Sequence, residues 1–173
     1  MKKIVLTFGV LSGVLSAAMM AATIPFVEAI GFDRMLVVGY TAIVISFLFV
    51  YFGIRSYRDN VLGGHISFGK GFQAGILITL ISCFFYVSAW LVLYYNVIPD
   101  FADKYAVYLV EDQRAQGASQ AEIDETVAQS ERMKEMLANP LINAAFTFTE
   151  PFPVGLLITL ISAAVLKTKE AAQ

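Results

Sequence analysis

Four long apolar stretches, over residues 4–30, 35–54, 68–98 and 141–166, divide the chain. Each is long enough for a membrane-spanning helix, which needs roughly 20 mostly apolar residues. Between the third and fourth the pattern changes, and apolar residues recur every three or four positions among charges. Phe101, Tyr105, Tyr108 and Leu109 share one helical face, with Asp100 and Asp103 placed to cap its start. Gly117 breaks that helix. Ser119 and Glu122 have capping-box spacing, Ile123 and Val127 form an i, i+4 stripe, and Asn139-Pro140 stops the second helix. The pattern predicts an all-α protein: a four-transmembrane-helix bundle in one membrane domain over residues 1–173, with an acidic extramembrane helical hairpin at residues 99–140 between helices three and four. About 40 residues is too little for a core of its own, so the hairpin must lean on the membrane helices, another copy or a partner.

Composition agrees with a bilayer as solvent. The 173 residues are 58% hydrophobic and 15% charged, against roughly a quarter charged in soluble domains. A single cysteine, Cys83, excludes a disulfide framework and a cysteine-based metal site within one chain. There is no basic face for nucleic acid. Met1-Lys2-Lys3, an apolar run and Ser16-Ala17-Ala18 have the form of a secretory signal, which would leave three helices. The run continues to Phe26, however, past the roughly 7 to 15 residues of a signal core, and favours a retained helix.

Lys and Arg are retained on the cytoplasmic side of membrane helices. With the amino terminus inside, the cytoplasmic segments hold Lys2, Lys3, Arg55, Arg58, Lys70, Lys167 and Lys169. Arg34, Lys104, Arg114, Arg132 and Lys134 fall outside, the last four among nine of the 14 acidic residues. Both termini are therefore expected in the cytoplasm and residues 99–140 outside, with Arg55, Arg58 and Lys70 as candidate contacts for lipid headgroups. Tyr86, Trp90, Tyr94 and Tyr95 crowd the outer end of helix three, as an aromatic belt does.

Three features carry candidate function. Gly9, Gly13, Ala17 and Ala21 recur at four-residue spacing and predict a helix-packing seam, first within the molecule against helix two or four, second between copies in a dimer. Phe68 to Ser82 matches Phe148 to Ser162 at an offset of 80 residues, sharing Gly75/Gly155 and Ile-Thr-Leu-Ile-Ser. Helices three and four run in opposite directions, so the repeat would be inverted, as in several transporters; the plainer reading is reuse of a good packing face. Thr79, Ser82, Thr159 and Ser162 are then small interfacial residues. The third feature is a pair of carboxylates in apolar surroundings, Glu28 and Glu150, a candidate intramembrane polar site because such groups are expensive there. If helix four starts at Leu141, Glu150 lies about 13 Å along it and Pro151 and Pro153 break the helix there. If the span starts near Thr149, Glu150 is interfacial, which its alignment with Lys70 favours. Arg34 or Lys104 could neutralise one of the two acids.

Other patterns lead nowhere. Gly64-His-Ile-Ser-Phe-Gly-Lys70-Gly imitates a phosphate loop without the Ser or Thr that holds magnesium or a strand before it. Ser67 caps helix three instead, after a turn at Gly63-Gly64. Lone His65 has no companion at ligand spacing, so no metal is expected, nor any cofactor. No nucleophile sits with a base at recognisable spacing, so no catalytic residue is assigned.

Gly39-Tyr-Thr, Tyr51-Phe-Gly-Ile-Arg-Ser-Tyr-Arg-Asp59, Gly63-Gly-His-Ile-Ser-Phe-Gly-Lys-Gly-Phe72, Pro99-Asp-Phe101, Phe152-Pro-Val-Gly-Leu and Ile158-Thr-Leu-Ile-Ser162 together resemble the bacterial domain-of-unknown-function family numbered forty-one ninety-nine, over nearly the whole chain. The resemblance implies a small, multi-pass bacterial protein of the inner membrane with four helices, and brings no activity, substrate or catalytic residue. Gly71 stands where the family pattern has Ala. The readings that follow are a non-enzymatic scaffold or regulatory protein, with the lipid bilayer and a second copy or another membrane protein as partners; a small proton- or ion-coupled carrier using Glu28 and Glu150; and, third, a membrane enzyme.

Overall fold

A computed structural model describes residues 1–168, and Lys169 lies outside the described residues. Among the described residues the fold is all-α, and four helices are long and apolar enough to cross a membrane: Lys2–Ile30, Phe32–Val61, Phe68–Asn96 and Pro140–Leu166. The first is interrupted. Helix α1 (Lys2–Thr23) meets Pro25, which cannot donate to the ladder, and a 3-10 turn at Ile24–Phe26 leads into the short α2 (Val27–Ile30). Gly31, at φ 87°, supplies the left-handed residue that reverses the chain into α3 (Phe32–Val61).

Helix α3 is longer at both ends than the apolar run over residues 35–54. Its last turns are polar outside, where Asp59 pairs with Arg55 at 3.6 Å and Arg58 at 2.6 Å, but bury Tyr57 inside. Gly63 and Gly64, at φ 65° and 89°, make the turn to α4 (Phe68–Asn96), whose N-cap Ser67 accepts from the Lys70 N–H. The hairpin is α5 (Phe101–Ala115) and α6 (Gln120–Leu137), joined through Gly117 at φ 78°. Ser119 and Glu122 form the capping box. Asp100 makes no side-chain cap bond; it pairs with Lys104 at 2.7 Å instead. Asn139 caps α7 (Pro140–Phe148), so Asn139-Pro140 both ends one helix and opens the next, and α8 (Pro151–Leu166) completes the fourth span.

The spans pack around a core of Phe47, Val50, Ile54, Ala74 and Ile78, each buried. Helix α1 packs on α3 and α4, and α8 packs on the same two, which places α1 and α8 at opposite corners. Leu6, Val37, Leu48, Phe84, Leu157 and Val165 point outward and are exposed, the apolar exterior of a helix bundle that faces lipid. Lipid removes the hydrophobic reason for helices to associate, so close backbone approach and hydrogen bonds must hold them. Ser12 does the latter for three helices, donating to the Ser46 carbonyl at 2.8 Å and meeting the Ser82 hydroxyl at 2.9 Å.

The repeated segments of α4 and α8 pack on each other antiparallel and reciprocally. A β-carbon on Gly75 would meet Thr159 Cγ2 at 2.7 Å, one on Gly155 would meet Thr79 Cγ2 at 2.5 Å, and the Thr79 and Thr159 hydroxyls share a 3.0 Å hydrogen bond. The local axis of the inverted match therefore passes between the two threonines.

Candidate functional site: a hairpin-roofed cavity

Proline dictates how the fourth span bends. Pro151 has no N–H and its ring excludes the carbonyl four residues back, so α7 ends at Phe148 and α8 restarts at Pro151, with Thr149 and Glu150 at the break. Helical turns thus lie on both sides of Glu150, inside the span Pro140–Leu166. Glu150 is the N-cap residue of α8, as its match Lys70 lies in the first turn of α4; unlike Lys70, it also has a helix, α7, directly before it.

The break sends the two halves to different neighbours. Helix α8 packs on α3 and α4, whereas α7 keeps α4, adds α6 and makes at most marginal contact with α3. A cavity of about 390 Å³ occupies the space so left, within the size range of small-molecule sites. Its floor is Ser16 and Met20 of α1 with Tyr86 and Trp90 of α4; one wall is Leu36, Gly39, Tyr40 and Ile43 of α3; the other is Asn143, Phe146, Thr147 and Glu150. Phe101, Tyr105, Met133 and Leu137 of the hairpin roof it. Of the three supports expected for the hairpin, the membrane helices are one that the structure shows. Phe101 meets Trp90 edge-on at 5.2 Å, and Phe32 packs against Phe101, Tyr105 and Tyr108 at centroid distances of 5.8, 5.3 and 5.0 Å.

Asn143, fully buried, organises the outer wall. Its Oδ1 accepts from Trp90 Nε1 at 2.9 Å and from the Thr147 hydroxyl at 3.3 Å, while its Nδ2 donates to the Leu137 carbonyl at 3.2 Å. Tyr95 donates to the same carbonyl at 2.7 Å. The amide thereby ties α7 to α4 and to the end of α6. A lone Asn in an apolar run was a readable signal for such a helix-joining group, and sequence reasoning passed over it.

The two carboxylates have different surroundings. Glu150 lines the cavity, makes no cap bond to its own helix and accepts from the Tyr86 hydroxyl at 3.0 Å. Glu28 is not among the lining residues; it is exposed on α2 and bound to Lys104 Nζ at 2.5 Å, which also holds Asp100. Lys104, not Arg34, is its cation. Beside it, Tyr108 donates to Asp33, and Lys134 pairs with Asp103 across the hairpin. Paired to two acids, Lys104 is held above the usual lysine range, and Asp100 below the usual carboxylate range. The Lys104–Glu28 and Tyr108–Asp33 contacts latch α5 to the α2–α3 corner.

On α1, Gly9 and Gly13 press on α4, the third span, rather than on the second or fourth span expected for the seam. Their missing β-carbons would lie 2.8 Å from Ile81 and 2.7 Å from Phe85. Ala17 is only partly buried and Ala21 is exposed; the buried face continues through Ser12, Ser16 and Met20. Arg55, Arg58 and Lys70 gather at the end of the bundle away from the hairpin, the two arginines partly neutralised by Asp59.

The family described as protein of unknown function, DUF4199, matches residues 7–168. No curated protein and no solved structure matches the chain.

Proposed function

The chain belongs to the DUF4199 family, and we propose from that premise that it is a non-enzymatic membrane protein that binds a hydrophobic molecule beneath its hairpin. The observation that supports this is the cavity: membrane helices form floor and walls, hairpin side chains form the roof, and an occupant touches both. Binding can therefore be relayed to the exposed acidic face of α5 and α6, the role of a scaffold or regulator. On this reading the protein resides in a bacterial cytoplasmic (inner) membrane with both termini inside and residues 99–140 outside. Its partners are the lipid bilayer and, through the hairpin, a second copy or another membrane protein.

Trp90 is the chain's single tryptophan and lines the cavity, so it reports occupancy directly. Chain-brominated alkyl compounds should quench it saturably in lipid nanodiscs. Gly39 lines the cavity and a β-carbon there would meet nothing within 4 Å, so Gly39→Phe puts a ring at the mouth and should abolish that quenching. Linear, unsaturable quenching that Gly39→Phe leaves unchanged would show mere partition into the bilayer and end the proposal. Sidedness is read by labelling Ala121→Cys in whole cells with an impermeant maleimide, since native Cys83 is fully buried.

The reciprocal packing of α4 and α8 and the position of Glu150 favour a proton-coupled carrier as the second reading. Proton-driven flux in vesicles that is lost in Glu150→Gln supports it; no flux in the wild type removes it.

A further inference from the structure

We infer that the occupant is a single-chain amphiphile with a cationic amine head, seated with its amine on Glu150 and its alkyl tail against the α1 and α3 walls. This rests on the cavity-binding reading and adds the chemistry of the ligand.

Glu150 is the only charged residue among the cavity's lining side chains. Its one hydrogen bond comes from a phenol, and no salt bridge involves it among the described residues. A carboxylate offers about four acceptor positions, so most of its capacity is unused. It stands at the junction of α7 and α8 and makes no cap bond to α8, so neither helix end supplies it with a partner. An acid kept in the span without a protein cation is costly, and a ligand that brings the positive charge removes that cost.

The rest of the lining suits such a molecule. Tyr40, Tyr86, Trp90 and Phe146 line the same space, and aromatic faces attract alkylammonium groups most strongly when water is excluded. Beyond them the walls are aliphatic or thioether: Met20, Ile24, Leu36, Ile43, Met133 and Leu137. A volume of about 390 Å³ suits one chain with a compact head, not a two-chain lipid. The way in is lateral. Helix α7 leaves α3, and Leu36, Tyr40 and Phe146 along the two sides are 62%, 47% and 49% exposed, so the mouth lies in the apolar belt where a dissolved tail already is.

The test uses the full chain in an uncharged detergent and three ω-brominated compounds of one chain length: a primary amine, an alcohol and a carboxylic acid. Quenching of Trp90 should saturate with the amine about tenfold tighter than with the alcohol, with the acid weakest. Glu150→Gln should abolish the amine's advantage over the alcohol. If Glu150→Gln does not fold, the head-group order in the wild type decides alone. Saturable binding with no preference for the amine, or a preference that Glu150→Gln leaves intact, overturns this inference and spares the cavity reading. Absence of saturable quenching by any of the three overturns both.

Discussion

Glycines in the spans separate into those whose missing side chain is occupied by a neighbour and those that face empty space. Gly155 belongs to the first kind: a β-carbon there would stand 2.5 Å from Thr79 Cγ2 and 2.7 Å from Phe47 Cζ. Gly155→Ala should lower stability by about 1–3 kcal/mol through overpacking, read as an earlier thermal unfolding midpoint in detergent. Gly39→Ala should leave the midpoint unchanged or raise it, because nothing lies within 4 Å and Ala is favoured over Gly in a helix by up to about 1 kcal/mol. Gly71 is intermediate. Ala163 at 3.4 Å leaves ordinary contact distance, so an alanine fits there. The seam on α1 shows what spacing can and cannot say. At 3.6 residues per turn each four-residue step rotates about 40°, so Gly9 and Gly13 meet α4 while Ala21 has turned away to the surface.

Among the elements, the hairpin was the most legible, since its capping box, glycine break and apolar stripe are local patterns with local causes. Its latch was not, because Glu28, Asp33, Lys104 and Tyr108 come from segments some 75 residues apart. Exposed ion pairs contribute little to global stability, so Lys104→Met should leave the unfolding midpoint in place and speed limited proteolysis within α5 and α6. The phenol of Tyr108 is pushed up to about 12, first by its hydrogen bond to Asp33 and then by desolvation and the nearby acids. A raised phenol pKa means that this contact contributes fully below the unfolded value near 10 and is lost as pH rises to about 12. Alkaline titration followed at the tyrosinate band should show a late-ionising tyrosine that disappears in Tyr108→Phe. The helix break at Glu150 was legible in the sequence because Pro151 and Pro153, its physical cause, follow it directly.

For the whole molecule, span number followed from hydropathy because lipid imposes a length on any apolar helix. Which spans touch did not follow. In lipid all apolar faces are equivalent, and the choice rests on a few small residues and hydroxyls such as Ser12, Thr79 and Thr159. The cavity was invisible for a related reason: its lining comes from every helix from α1 to α7, and no one segment carries its pattern. The Thr79–Thr159 bond can be weighed by a double-mutant cycle with valine at each site. A coupling of about 0.6 kcal/mol is expected, with an upper bound near 1.7; zero coupling would reduce the reciprocal packing to shape alone.

Helices α3 and α8 are clamped where Phe47 sits against Gly155, and α3 runs on from there alongside Gly75 through Ile54. Beneath the hairpin, by contrast, α3 and α7 stand apart and the gap between them is the cavity mouth. On the proposed reading an amphiphile therefore enters from the leaflet on the hairpin side, and a molecule dissolved in the other leaflet must first cross the bilayer by itself.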